Sequence, residues 1–230
     1  MANLITTDVL WVLLVTGVIP TVLWLFFWLR EDRFQPEPRG LLILTFIAGA
    51  LCTFLVLPAE HWVKALGVVG TERVLMFAAF EEIAKFGVVF LIDFHSSYLD
   101  EPIDYAIYLI TGALGFAAAE NVMFLLEPSL QQDISFIIET GTLRFLGASI
   151  LHSVLGAILG LTIGFVFYKK RITKVLFGAI GLLIVIILHT IFNSFIIKYV
   201  EINGYLTLAI LWLVTLFIIA MFERVRRINH

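Results

Sequence analysis

Runs of about 18 to 24 apolar residues recur along the whole chain, and each is long enough to cross a bilayer as a helix. The chain is 61% hydrophobic, where soluble domains average roughly 45–50% apolar residues. The runs are continuous rather than alternating in polarity, which argues against a transmembrane barrel. The sequence therefore predicts an all-α, polytopic integral membrane protein, with residues 1–230 forming a single transmembrane helical domain.

Seven transmembrane helices are predicted from these runs. They are approximately Val9–Leu29, Leu41–Leu57, Val74–Ile92, Ile103–Leu126, Leu143–Tyr168, Val175–Ile197 and Tyr205–Phe222. The loops on one side of the membrane carry ten Lys and Arg residues, and those on the other side carry four. Because cytoplasmic loops are enriched in Lys and Arg, the N-terminus is predicted to lie outside and the C-terminus in the cytoplasm. The segment Glu127–Thr142 is then predicted to be an external loop.

Three ionisable residues lie within five positions of the third predicted span, namely Glu81, Glu82 and Lys85. A charge near the bilayer centre costs at least about 2.5–3.5 kcal/mol, so such residues indicate a functional site by default. Lys85 follows Glu82 by three residues and Glu81 by four, so it can reach either carboxylate on the helix surface. It could hold one glutamate ionised while the other acts as a general base or acid.

The next three predicted spans carry the other intramembrane polar residues. These are Glu120 and Asn121, then His152, then His189 and Asn193. The two glutamates of the third span, Glu120 and both histidines each lie six to nine residues inside the external end of their own span, roughly 9–14 Å deep. The spans at about 74–92, 103–126, 143–168 and 175–197 are therefore predicted to form one catalytic layer.

Helical spacing predicts that these groups face protein rather than lipid. His152 shares a spacing-four stripe with small residues, which allow two helix backbones to approach closely. The members of that stripe are Ala148, Gly156, Gly160 and Gly164. His189 and Asn193 are four residues apart and project from one face.

Carboxylates and histidines in a dry, partly enclosed layer suit the activation of a water molecule. A glutamate could act as the general base, while His189 and Asn193 donate hydrogen bonds to the oxyanion of a scissile carbonyl. The same groups could instead hold zinc, with His152, His189 and Glu120 as ligands and an open position for water. Spacing alone does not choose between the two, although the chain has no H-E-x-x-H signature.

Short motifs follow one another along most of the chain. They are Asp32-x-x-x-Pro36-Glu37-Pro38, Glu81-Glu82-x-x-Lys85, Pro102-x-Asp104-Tyr105, Gly115-Phe116-x-x-x-Glu120-Asn121, Arg144, His152 with Gly156, and His189-x-x-x-Asn193. In this order and spacing the chain resembles the PrsW family of intramembrane proteases. That family belongs to a larger group that includes the CAAX prenyl endopeptidases and the bacteriocin-processing enzymes.

The resemblance implies a peptidase that cleaves membrane-anchored protein substrates at the cell membrane. It favours Glu81 as the general base, with His189 and Asn193 at the oxyanion. The CAAX-processing relatives carry a histidine where this chain has Glu120. The family has been described both as metalloproteases and as glutamate proteases, so a zinc cofactor stays open. The family's namesake cleaves an anti-sigma factor, which makes such a protein a candidate substrate here.

Three further residues are predicted to support the site. Lys85 would set the charge of the glutamate pair, and Asn121 would orient its neighbours or join helices. Arg144 would be either a snorkelling anchor or a substrate contact.

Two other functions use the same residues. One is a proton- or cation-coupled transporter, although the chain has no internal repeat and no proline within the polar layer. The other is a non-catalytic membrane scaffold. In every case the lipid bilayer is a partner, and no nucleic-acid partner is predicted.

Overall fold

The computed structural model describes residues 7–30, 35–130 and 134–226, and these ranges are helical apart from short connections. The first helix comprises α1 (Thr7–Leu13), a π-helical segment (Leu14–Val18) and α2 (Ile19–Leu29). The remaining helices are α3 (Arg39–Ala65), α4 (Gly70–Ile92), α5 (Asp104–Leu130), α6 (Ile134–Leu143), a second π-helical segment (Arg144–Ala148), α7 (Ser149–Gly164) and α8 (Arg171–Arg226). Helices satisfy their own backbone hydrogen bonds, which lipid cannot do.

Within the described chain, six helical stretches are long and apolar enough to cross a membrane. They are Val9–Leu29, Arg39–Ala65, Asp104–Leu126, Ile137–Gly164, Arg171–Phe195 and Leu208–Val225. Helix α4 is 23 residues long, but the charges inside it keep it out of this set. The prediction of an all-α polytopic membrane protein is confirmed.

Helix α8 contains two of these stretches, and its contacts with α7 show that they run in opposite directions. The first half advances from Gly181, beside Leu159, to His189, whose ring lies 5.4 Å from that of His152. The second half runs the other way, with Leu208 against Gly147 and Val225 against Gly164. The chain therefore reverses direction between His189 and Leu208, and α8 supplies two antiparallel stretches.

Helices α5 and α7 lie at the centre of the molecule and approach each other through glycines. A Cβ at Gly156 would lie 2.8 Å from the Leu109 carbonyl oxygen, and one at Gly160 would collide with Ala106. The predicted small-residue stripe of His152 therefore packs along α5, as expected. Gly49 of α3 packs in the same way against the backbone of Gly112 on α5. These close contacts hold α3, α5 and α7 side by side.

A tight turn joins α3 to α4. Gly67 and Gly70 adopt φ values of +72° and +65°, a left-handed conformation that glycine enters at little cost. Helix α3 continues to Ala65, eight residues beyond its predicted end at Leu57. The start of α4 is consequently held beside the end of α3.

The prediction of a loop at Glu127–Thr142 is wrong for the described residues, which are helical. Helix α5 continues to Leu130, and α6 begins at Ile134, while residues 131–133 lie outside the described part. The charged and hydroxyl residues of this segment favour a loop by composition alone. Ile137 instead packs with Val9, Leu13 and Leu125, so an apolar face docks α6 on the first helix and on α5.

Candidate active site

Four helices bring their ionisable side chains into one buried network. Helix α4 supplies Glu81, Glu82 and Lys85, α5 supplies Glu120, α7 supplies His152, and α8 supplies His189. All of these side chains except Glu120 are buried, and Glu120 is partly buried. The close glycine contacts of α7 with α5 place His152 beside Glu120. The first half of α8 places His189 beside Glu82 of α4.

Glu82 joins α4 to α8 through hydrogen bonds to Lys85 and His189. Its Oε1 accepts a hydrogen bond from Lys85 Nζ at 2.5 Å and lies 2.7 Å from His189 Nδ1. Because an ionised carboxylate only accepts, Nδ1 of His189 carries the proton and donates to it. In the neutral imidazole, Nε2 of His189 is then free of a proton, and it lies 3.8 Å from Glu81 Oε2.

Lys85 also connects the glutamate pair to His152. Its Nζ lies 3.0 Å from His152 Nδ1, and His152 Nε2 lies 3.0 Å from Glu120 Oε2. An ammonium has no acceptor, so it donates to Nδ1, and Nε2–H donates to Glu120. The two partners fix the tautomer of His152 and use both of its nitrogens.

Arg144, at the start of the second π-helical segment, closes the other end of the network. Its Nη2 lies 2.8 Å from Glu120 Oε2, and its Nε donates to Asn121 Oδ1 at 2.5 Å. The guanidinium also lies 4.2 Å from the centre of the Phe124 ring. Arg144 is thus the partner of Glu120, a contact that the sequence did not indicate.

Glu81 is the carboxylate of this network that has no cation beside it. Lys85 pairs with Glu82 and Arg144 pairs with Glu120, so three carboxylates share two cations. Within the described chain, Glu81 Oε2 is buried and lacks a hydrogen-bond partner. Glu81 also lines a cavity of about 430 Å³ between α3, α4, α5 and α8, whereas Glu82 does not. A cavity of this size has room for water, and Glu81 and Glu120 offer it polar partners.

Asn193 lies apart from the ion pairs and hydrogen bonds of this network. It is half-buried and lies on the wall of the same cavity, together with Glu81 and Glu120. His189 faces the glutamates, and Asn193 faces the cavity that Glu81 also lines.

Phe116 is a neighbour of the site that sequence reasoning missed. Lys85 Nζ lies 4.8 Å from its ring centre, a cation–π distance, and the ring lies 5.6 Å from that of His152. Phe116 also lines the cavity. Its position four residues before Glu120 on one helical stripe was the available signal.

The residues present do not form a metal site in this arrangement. In the described part of the chain, no three His, Cys, Asp or Glu side chains gather in a way that could hold a metal ion. Both nitrogens of His152 are hydrogen-bonded, one of them to an ammonium, and Glu120 is paired with a guanidinium. A zinc ion on His152, His189 and Glu120 would have to displace these partners.

Comparison with known proteins identifies similar sequences. Residues 37–222 match a sequence model described as the PrsW family of intramembrane metalloproteases. Protease PrsW of Geobacillus kaustophilus is 29% identical over 165 residues, which cover 69% of this chain and 70% of that protein. Protease PrsW of Oceanobacillus iheyensis is 26% identical over 225 residues, covering 95% and 96% respectively. Protease PrsW of Bacillus subtilis is 22% identical over 176 residues, covering 75% and 77%. No solved structure matches the chain.

Proposed function

The chain belongs to the PrsW family of intramembrane proteases, as its motifs predicted, and from this premise we propose that it hydrolyses peptide bonds of membrane-anchored proteins with Glu81 as the general base. The protein is a multi-pass protein of the cell membrane. The observation that carries the assignment of the base is the unpartnered Oε2 of Glu81 at the cavity.

The proposed reaction begins with a water molecule in the cavity. Glu81 removes a proton from this water, and the oxygen attacks the carbonyl carbon of the scissile bond. The proton then passes from Glu81 to the leaving nitrogen as the C–N bond breaks. Glu82 is unsuited to this task because its Oε1 already accepts hydrogen bonds from Lys85 and His189. The charges also favour Glu81 over Glu82 as the general base, since Glu82 has a cation partner and Glu81 has none.

Asn193 is proposed to donate an amide N–H to the oxyanion of the tetrahedral intermediate. It shares the cavity wall with Glu81, which is the placement that this role requires. His189 would add a second donor when its ring is protonated, because Nδ1 is already committed to Glu82. Glu82, Lys85, His152 and Glu120 would then position these groups.

A substrate is proposed to enter beside the external ends of α3 and α4. Most of the cavity wall is apolar, with Val56 and Leu57 from α3 and Phe77 from α4, while Lys64 lies on the same wall. Such a wall suits the apolar residues at the end of a membrane anchor. An anti-sigma factor anchored by one helix is a candidate substrate by analogy with the family's namesake.

The topology proposed for this reaction has seven spans, with the N-terminus outside. Helix α4, roughly 35 Å long at 1.5 Å per residue, would be the span that composition alone does not identify. Cys52 is the chain's single cysteine and is buried, so a Cys52→Ser background allows labelling. An impermeant thiol reagent on intact cells should label Thr71→Cys and leave Ser97→Cys unlabelled. The reverse pattern would invert the proposed topology.

The proposed function is tested by cleavage of a single-span reporter that carries tags on both sides of the membrane. Glu81→Gln should lower the cleavage rate by about 10²–10⁴-fold, the contribution of a general base. Glu72→Gln changes an exposed carboxylate on the same helix and should cleave at the wild-type rate. Wild-type cleavage by Glu81→Gln, with equal protein levels, would remove Glu81 from this role.

A further inference from the structure

Asn121 is fully buried and joins three parts of the chain through its side chain. Its Nδ2 donates to the carbonyl of Gly17 at 3.2 Å and lies 3.2 Å from Ser149 Oγ. Its Oδ1 accepts from Arg144 Nε at 2.5 Å. One amide thus contacts the first helix, the second π-helical segment and the start of α7.

Each π-helical segment of the described chain supplies one of these contacts. The Ile19 N–H bonds to the Leu14 carbonyl, and the Ser149 N–H bonds to the Arg144 carbonyl, five residues apart in each case. Wider turns of this kind occur mostly as single insertions in α-helices, often at functional sites. Here one segment presents Gly17 and the other presents Arg144 to the same side chain.

A glycine at residue 17 lets the first helix pack closely beside Asn121. A Cβ at Gly17 would lie 3.0 Å from Val122 Cγ2 and 3.3 Å from the Val122 backbone nitrogen. This helix precedes residues 37–222, where the family match lies. The contact therefore brings an element outside the matched region to the edge of the candidate site.

From this geometry we infer that Asn121 is a positioning residue that holds Arg144 on Glu120 and draws the first helix into the active-site assembly. Arg144 uses Nε for Asn121 and Nη2 for Glu120, so Asn121 fixes the plane of the guanidinium. Glu120 in turn accepts from His152, whose other nitrogen meets Lys85. The catalytic consequence rests on the proposed function, whereas the positioning does not.

The positioning is tested without any cleavage by the NMR signal of the Arg144 Nε–H in the purified protein labelled with ¹⁵N-arginine. The wild type should show a signal protected from solvent exchange, which Arg144→Lys identifies by removing it. Asn121→Leu should lose the protection, and Asn121→Asp, which keeps the acceptor oxygen, should retain it. Thr111→Val is the matched control: Thr111 is also buried on α5, but it bonds only to its own helix at Ile107, and protection should persist.

The catalytic consequence is tested by a double-mutant cycle on reporter cleavage. Asn121→Leu and Arg144→Lys should each lower kcat by about 10- to 100-fold with KM within about twofold, the size expected for a hydrogen bond to a charged group. Because Asn121 acts through Arg144, the double variant should be no slower than the slower single variant.

Each outcome of the two tests has a separate meaning. A freely exchanging Arg144 Nε–H in the wild type, or protection that survives Asn121→Leu, would overturn the positioning. Multiplying losses in the cycle, or a loss confined to KM, would reduce Asn121 to a contact between helices. A wild type that does not cleave would refute the proposed function, and the NMR signal would still decide the role of Asn121. If Asn121→Leu fails to fold, Asn121→Ala, which also removes the acceptor oxygen, replaces it in both tests with the same expected and contradicting results.

Discussion

Variants of the ion pair between Glu82 and Lys85 should show that stability can be recovered without activity. At 2.5 Å and an effective dielectric constant of about 20, the attraction is roughly 7 kcal/mol. Removing both charges from water costs several kcal/mol per ion, so the net contribution of the pair is close to zero. Removing only one of the two charges should cost much more stability, because the partner charge then stays buried without compensation. Glu82→Gln and Lys85→Met should each destabilise the protein by about 3–5 kcal/mol.

The double variant of Glu82→Gln and Lys85→Met leaves no uncompensated charge. It should recover most of the stability lost by either single variant, yet remain inactive because His189 and His152 lose their charged partners. Unfolding in lipid bicelles, followed by tryptophan fluorescence, measures the first effect, and reporter cleavage measures the second. The reasoning is refuted if either single variant loses less than about 1 kcal/mol, or if the double variant loses the sum of both.

Three further outcomes are expected. Gly160→Ala should destabilise the protein by about 1–3 kcal/mol because its Cβ would strike Ala106. Gly87→Ala meets nothing within 4 Å and should be neutral or stabilising. Thermal unfolding of both variants checks this difference. Burial raises the pKa of the Asp93 carboxyl from 3.8 to about 7, against the opposing hydrogen bond from Thr45. The folded state therefore favours protonated Asp93, and stability should fall as pH rises from about 4 through about 7. Unfolding free energies measured across this range should lose that slope in Asp93→Asn. Asn193→Ala should lower kcat by about 10²–10³-fold if its amide serves the oxyanion, and an unchanged kcat would remove it from that role.

The meeting of polar residues from four helices could be predicted from the sequence because it follows from helix geometry. Residues at similar distances from the external ends of antiparallel helices lie in one layer, and the glycine stripe of α7 indicated which face of His152 meets protein. The structure brings these residues into contact. The different surroundings of Glu81 and Glu82 could not be predicted from helix geometry. They are about 100° apart on α4, and the position of the cavity depends on all its neighbours.

The contacts of Arg144 and Asn121 could not be predicted for a different reason. A π-helical segment shifts the phase of every residue beyond it, so the regular spacing that guides sequence analysis fails at Arg144–Ala148. The hydrogen bond from Asn121 to Gly17 has a backbone acceptor, which leaves no signature in residue type. Helix α6 was not predicted because four polar residues interrupt its apolar ones, among them Ile137, which packs against the first helix and α5.

We propose that Glu81 activates the attacking water without a metal ion, since the described part of the chain gathers no metal ligand set. The most direct measurement is reporter cleavage by purified protein of known zinc content, with and without a chelator, in wild type and Glu81→Gln. We expect no bound zinc, full cleavage in the presence of chelator, and a cleavage rate about 10²–10⁴-fold lower in Glu81→Gln. Stoichiometric zinc, with cleavage that chelator abolishes and added zinc restores, would contradict it.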